Sequence, residues 1–320
     1  MLILYSLMRI ICNQWRLVLK RKFKIAAAAL AAITVFTACS GDKNADSGKI
    51  AVSTSINPVH QIVNIIGGDK VEASRMVPAG SEAHDFEPTI RDMETLSKSK
   101  ILFISGLGME PWADKAKETT GAKELVTAEL SEGIELIHLD EEDHEEGEEV
   151  EHEHGDYDPH VWLSLDALVT MAENAEKALS AASPENAEYF RQNLEAFRKD
   201  VLELKGEYLP KFAAYKGKAF VTGHAAFGYM CRELGLVQMS VEGPFQEGEP
   251  TPKKLEELIA FARENSIRTI FLEEQASPKV SETLAREVGA ATETLNPLES
   301  EGDLLHTMKE NYDRILKSME

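Results

Sequence analysis

The stretch KIAVSTSINPVHQIVNIIGGDKVEASRMV, residues 49–77, contains the pattern that decides the fold. Residues Lys49–Ile56 read as a strand, and the apolar residues that follow, up to Ile66, have helical spacing. The sequence Gly67-Gly68-Asp69 predicts a turn, and Val71–Val77 predicts a second strand. A strand, a helix and another strand in this order are typical of a parallel sheet in an α/β lobe.

The same alternation recurs on both sides of a long helical region. Further strands are predicted at Ile101–Ser105, Ile134–His138, Lys218–Val221, Val237–Val241, Thr269–Glu273 and Ala291–Leu295. Between the two series, Ser183-Pro184 begins a helix whose apolar residues repeat every three or four positions. We therefore predict an α/β fold of two lobes, residues 49–182 and 213–320, each with a parallel-type sheet flanked by helices. A linker helix at residues 183–212 joins them.

The N-terminal 38 residues predict a secretory signal. They contain six basic residues and no acidic ones, followed by a short apolar run that ends in small residues. The sequence Phe36-Thr37-Ala38-Cys39 resembles a bacterial lipobox, although Phe36 stands where leucine is usual. This predicts cleavage before Cys39, attachment of lipid to its sulfur, and a polar tether at residues 39–48. The alternative is an ordinary signal with an incidental cysteine. Cys231 is then the one cysteine left in the folded body, and we expect it to be a buried thiol on a helix.

The strongly acidic composition excludes one broad class of partners. The formal net charge is −21, and removal of residues 1–38 would take it to −27. A chain of this charge repels nucleic acid and attracts cations, so we expect no nucleic-acid partner.

Residues 138–158 interrupt the α/β pattern with twelve acidic residues and four histidines. Such a segment cannot bury a core, so we predict a solvated loop within the first lobe. Its histidines His144, His152 and His154 favour a role as an accessory, low-affinity collector of metal ions. The alternative is a spacer without a binding role.

Three other histidines stand at predicted strand ends or in loops: His84, His160 and His224. Ligands of open α/β sheets bind outside the carboxyl ends of the strands, and imidazole is a common ligand of divalent metals. Because these histidines are far apart in sequence, spacing alone does not establish that they meet. Each of them, taken singly, could be a hydrogen-bonded core residue.

The segments around these histidines resemble the zinc and manganese solute-binding lipoproteins of bacterial ABC uptake systems. The matching segments are Pro78–Pro88, Asp158–Leu163, Thr222–Gly228, 249–252, 271–277 and Leu295–Glu299, together with the acidic histidine-rich run. The resemblance implies two lobes joined by a rigid helix, with the metal site in the cleft between them. It also implies His84, His160 and His224 as ligands, and Glu299 as the fourth, although Glu299 could instead be an exposed acid.

Metal identity follows from these donors. Three nitrogens and one oxygen suit tetrahedral Zn²⁺, and we expect Mn²⁺ to bind less well. Glu273 and Glu274 end a strand at the same cleft, where we favour ion pairing or capping over contact with a ligand histidine. We expect His60 and His306 on helices without a metal role, and Trp162 as a packing residue. His138 could join the acidic-loop histidines or could instead end a strand.

The predicted function is extracytoplasmic capture of Zn²⁺ without catalysis. A monomer, held by its lipid at the outer face of the plasma membrane, would deliver the ion to an ABC permease with a cytoplasmic ATPase. The alternatives are a manganese- or iron-binding protein of the same kind, a metal-dependent adhesin, and a secreted zinc hydrolase.

Overall fold

The first half of the chain forms a four-stranded parallel sheet. The computed structural model describes residues 48–81, 83–139, 156–245, 250–273 and 278–320. The strands of this sheet are β1 (Ile50–Thr54), β2 (Val71–Arg75), β3 (Ile101–Ile104) and β4 (Val126–Glu129), in the order β2-β1-β3-β4. Its helices are α1 (Asn57–Gly67), α2 (Ile90–Leu96), α3 (Ala113–Thr120) and α4 (Leu165–Ala182). Ser164 caps α4, because its side chain accepts a hydrogen bond from the Ala167 amide.

The second half repeats this plan. Its strands are β5 (Ala219–His224), β6 (Val237–Glu242), β7 (Thr269–Glu273) and β8 (Ala291–Leu295), in the order β6-β5-β7-β8. Its helices are α6 (Gly228–Leu234), α7 (Pro252–Glu264), α8 (Pro278–Val288) and α9 (Leu304–Met319). All strand pairs in both sheets are parallel, so the predicted fold class is confirmed. In each sheet the strand order reverses beside the first strand, and ligands of such sheets bind at that point.

The fourth strand of the first sheet lies earlier in the chain than predicted. Residues 126–129 pair with β3, whereas residues 134–138 form no strand, and His138 makes only an isolated antiparallel bridge to Tyr157. The prediction of a strand at Ile134–His138 was therefore wrong. Its apolar side chains pack against the core without joining the sheet. The actual fourth strand, β4, has four residues and one large apolar side chain, Val126, which is 56% exposed, so no buried apolar pattern marks it in the sequence.

A single long helix, α5 (Ala187–Phe212), connects the lobes. It begins after a 3₁₀ turn at Pro184–Asn186, and its 26 residues span about 39 Å at 1.5 Å per residue. Its buried stripe comprises Phe190, Leu194, Phe197, Val201, Leu204, Tyr208 and Phe212. The stripe belongs to one hydrophobic core that includes residues of both sheets, from Ile50 to Ile315.

Several predicted features lie outside the described residues. They are the signal, Cys39 and most of its tether, and the histidines His144, His152 and His154 of the acidic loop. No helix in the described ranges has the length and apolarity needed to cross a bilayer. Cys231, as expected, is a buried free thiol on a helix, α6.

Candidate metal centre

His224 is held by a carboxylate on the neighbouring strand. It ends β5, and Glu273 ends β7, which is the adjacent strand at the point where the strand order reverses. The Glu273 carboxylate accepts a hydrogen bond from the His224 amide at 3.0 Å, and its second oxygen contacts the Nδ1 atom of the same residue. Both side chains are 1% exposed. The carboxylate therefore fixes the ring with Nδ1 inward and leaves Nε2 for another partner.

His160 has a matching arrangement in the first lobe. The Asp158 Oδ1 atom accepts hydrogen bonds from the His160 amide at 2.9 Å and from its Nδ1 at 2.8 Å. Asp158 is itself fixed, because its amide donates to the Ile137 carbonyl and its carbonyl accepts from the Tyr229 hydroxyl. The His160 side chain is fully buried. As in His224, its Nδ1 faces the carboxylate and its Nε2 points away from it.

The two Nε2 atoms of His160 and His224 lie 3.4 Å apart. Zinc–nitrogen bonds are about 2.0–2.1 Å long, so two nitrogens at the tetrahedral angle lie about 3.3 Å apart. The observed separation therefore fits two ligands of one tetrahedral ion.

His84 lies beside this pair. It follows β2, it is 8% exposed, and the centroid of its ring lies 5.6 Å from that of His160. On its other side the Phe245 ring contacts it edge to face, also at 5.6 Å. In the parts of the chain that are described, no group of three His, Cys, Asp or Glu side chains stands in a complete metal-binding arrangement. The three histidine rings nevertheless lie close together, and the Nε2 atoms of His160 and His224 have the separation expected of two zinc ligands.

Glu299 follows β8 in the second lobe and is 5% exposed. Its role as a ligand stays a prediction. The alternative reading of Glu299 as an exposed acid is excluded by this burial.

The environment keeps the His224 imidazole neutral. Its pKa lies well below the ordinary histidine value, first because burial disfavours the charged ring, and then because the His160 and His84 rings stand close by. Neutral imidazole is the form that binds metal, so protons compete weakly for this ring near neutral pH.

The other predicted residues fall into three groups. Glu273 contacts the His224 ring, which corrects the expectation that it would pair or cap away from a ligand histidine. Glu274 lies outside the described residues. His60 and His306 are on helices α1 and α9, as expected. Trp162 is fully buried, as expected of a packing residue, and its indole also donates a hydrogen bond to the Pro297 carbonyl. Asp158 was missed, because it ends the acidic run and looks like one more solvated acid. The pattern Asp158-Pro159-His160, an acid two residues before a histidine, is the signal that could have revealed it.

Comparison with known proteins gives matches along almost the whole described chain. The family model described as "Zinc-uptake complex component A periplasmic" (ZnuA) matches residues 52–318. The "Putative metal-binding protein" of Treponema pallidum is 34% identical over 310 residues, which cover 93% of this chain and 97% of the relative. The "Zinc-binding lipoprotein AdcA" of Streptococcus pneumoniae is 32% identical over 300 residues, 93% of this chain but only 59% of AdcA. A crystal structure of ZnuA superposes with a TM-score of 0.76 at 28% identity, covering 85% of this chain and all of that one.

Proposed function

Because the chain belongs to the ZnuA family of zinc-uptake components, we propose that it captures Zn²⁺ outside the cytoplasm and delivers it to an ABC permease for import. The family consists of metal-binding transport components and is not a family of enzymes. Zn²⁺ is here the cargo of the protein and not a resident cofactor.

One observation carries this proposal. His160 in the first lobe and His224 in the second bring their Nε2 atoms to 3.4 Å, and each Nδ1 is engaged by a carboxylate. Histidines that bind zinc usually donate the other ring N–H to such an acceptor, which fixes both the tautomer and the ring orientation. Two buried histidines that served only as core packing would not need this paired arrangement.

We assign His84 as the third ligand and Glu299 as the fourth. Each lobe would then supply two donors, His84 and His160 from the first and His224 and Glu299 from the second. Both of these further residues are buried. Three imidazole nitrogens and one carboxylate oxygen favour tetrahedral Zn²⁺ over Mn²⁺, which prefers more oxygen ligands.

The same donor set argues against the hydrolase alternative. A catalytic zinc keeps one coordination position open for water or substrate. If Glu299 occupies the fourth position, the ion is fully held by protein and is suited to transport.

The location and partners belong to the same proposal. The AdcA relative is described as a lipoprotein, which supports lipid attachment at Cys39 of this chain and a place at the outer face of the plasma membrane. The permease and its cytoplasmic ATPase would be the partners of a monomer.

The test is zinc affinity, measured by competition with a chromophoric chelator on the processed protein. We expect the variants His84→Ala, His160→Ala and His224→Ala each to lose orders of magnitude in affinity, since each removes one metal–ligand bond. The matched control is His306→Ala, because the His306 side chain is 69% exposed on α9. Unchanged affinity in the His160→Ala and His224→Ala variants would reject the proposed site.

A further inference from the structure

The segment that carries Glu299 is held by side chains of the opposite lobe. Asn57, the first residue of α1, donates its side-chain amide to the Leu298 carbonyl at 3.0 Å and to the Ser300 carbonyl at 2.6 Å. These two carbonyls lie on either side of Glu299. The indole Nε1 of Trp162 donates to the Pro297 carbonyl at 2.7 Å. Three main-chain carbonyls of the second lobe thus accept hydrogen bonds from the first.

The orientation of the Asn57 amide is determined by Arg75. The Arg75 guanidinium donates to the Asn57 Oδ1 atom at 2.7 Å, and a guanidinium can only donate. The oxygen of the amide must therefore face Arg75, and its NH₂ group must face the two carbonyls. Both amide hydrogens are used, so the contact has one geometry rather than two. Arg75 also contacts the Glu301 carboxylate at 3.0 Å, but Glu301 is 81% exposed, so water screens this ion pair.

The segment itself does not adopt a relaxed conformation. Leu298 has a φ of +71°, in the left-handed region that a residue with a Cβ rarely adopts. Its amide donates to the Asn296 side chain at 2.7 Å, and Asn296 is in turn bonded to Asn311 on α9. A backbone of this kind persists only where its surroundings hold it. Here the second lobe holds it at Asn296 and the first lobe holds it at residues 297, 298 and 300.

We propose that Asn57 and Arg75 are positioning residues for the Glu299 carboxylate, and that the zinc site acquires its fourth ligand through this contact between the lobes. The inference rests on the proposed function, in which Glu299 binds the ion. It adds that two residues outside the proposed ligand set control whether the fourth donor is a protein carboxylate or water. Separation of the lobes would break the Asn57 contacts and withdraw this control, which would favour release of the ion.

A double-mutant cycle tests this proposal on the processed protein. We expect Asn57→Ala to weaken zinc binding about 10- to 100-fold, the range typical of residues that orient a metal ligand. In a Glu299→Ala background, Asn57→Ala should cause no further loss, because the group that it positions is absent. The matched control is Asn64→Ala, an exposed asparagine on the same helix, which should change neither background.

The second readout is the visible spectrum of the cobalt-loaded protein. Cobalt(II) reports its coordination shell, so the Asn57→Ala spectrum should shift toward that of Glu299→Ala. If Asn57 has a purely structural role, Asn57→Ala would lower the zinc affinity equally in both backgrounds. The cobalt spectrum of the protein that still binds metal would then be unchanged. Either result would overturn the proposal.

Two further outcomes separate this inference from the proposed function. If the wild type binds zinc tightly and Glu299→Ala has no effect, the positioning role is rejected while zinc capture stands. If the wild type does not bind zinc, both are rejected. Should Asn57→Ala fail to fold, Arg75→Met takes its place in the same cycle, because it removes the donor that orients Asn57 and keeps most of the side-chain stem.

Discussion

His160 and His224 face each other through Nε2 atoms 3.4 Å apart because each ring turns its Nδ1 toward a carboxylate of its own lobe. Asp158 does this in the first lobe and Glu273 in the second. The two histidines come from unrelated local structures, a loop before a 3₁₀ turn and the end of a strand. Their common feature is the carboxylate at Nδ1, which holds the ring proton on that nitrogen and leaves Nε2 as the acceptor.

The first prediction concerns Glu273. Replacement by Gln puts an NH₂ group against either the His224 amide or its Nδ1–H, and two donors then face each other. The ring can relieve this repulsion by carrying its proton on Nε2 instead of Nδ1, but Nε2 can then no longer bind the metal. We expect Glu273→Gln to lower zinc affinity about 10- to 100-fold. Competition titration measures this, with the exposed Glu282→Gln on α8 as the control; equal affinities of the two variants would contradict it.

The second prediction concerns the acidic loop. The amide of Leu139 donates to the Asp156 carbonyl at 2.9 Å, and the amide of Asp158 donates to the Ile137 carbonyl at 3.0 Å. The two ends of the loop are thus joined next to Asp158. Deletion of residues 141–155 should therefore leave the tight zinc site unchanged and remove only weak additional binding. Calorimetry distinguishes the two classes of site, and loss of the tight one would refute the division between site and collector.

The third prediction is a pH dependence of stability caused by Glu110. Its carboxylate accepts hydrogen bonds from the Ser105 and Gly106 amides, but burial raises its pKa from 4.5 to about 7, and Glu129 adds to the rise. Between these values the folded protein binds a proton that the unfolded chain has lost. Protonated Glu110 therefore stabilises the folded protein. This contribution is fully present below pH 4.5 and is lost as the pH rises through 7.

This dependence is measured by urea unfolding of the zinc-free protein. The stability of the wild type relative to Glu110→Gln should fall as the pH rises from 4.5 to 7, by about 3 kcal/mol in total. The exposed Glu264→Gln gives the baseline for a carboxylate without such burial. A difference between wild type and Glu110→Gln that is constant over this range would contradict the assignment.

The fourth prediction concerns the hydrophobic core that the two lobes share. Leu168 on α4 is fully buried, whereas Leu202 on α5 is 70% exposed. Leu168→Ala should lower the free energy of unfolding by about 2–5 kcal/mol, since it leaves a cavity. Leu202→Ala should change it by no more than about 0.5 kcal/mol. Denaturant titration compares them, and similar losses in the two variants would show that the burial pattern is wrong.

Much of the fold was predictable because strands and helices alternate with clear apolar patterns. The bounds of β7 and β8 agree with the predicted ones, since each strand lies between strong helix signals. The strand Val126–Glu129 does not stand out in the sequence, because it has only four residues and Val126 is its one large apolar side chain. In its place the apolar alternation of Ile134–His138 reflects packing against the core.

The site was predictable in part for a different reason. His84, His160 and His224 stand out as residue types, so the sequence could nominate them. The partnership of Glu273 with His224 depends on the register between β5 and β7, and the bond from Asn57 to Leu298 spans 241 positions. Neither leaves a local pattern, because the residues are brought together only by the packing of whole elements.

Helix α5 packs against α1 and α4 of the first lobe and against α9 of the second, and its stripe belongs to a core shared by both. Neither half is consequently a self-sufficient folding unit. Heating should melt the two together in one cooperative transition, and a fragment containing residues 213–320 alone would expose an apolar surface that invites aggregation.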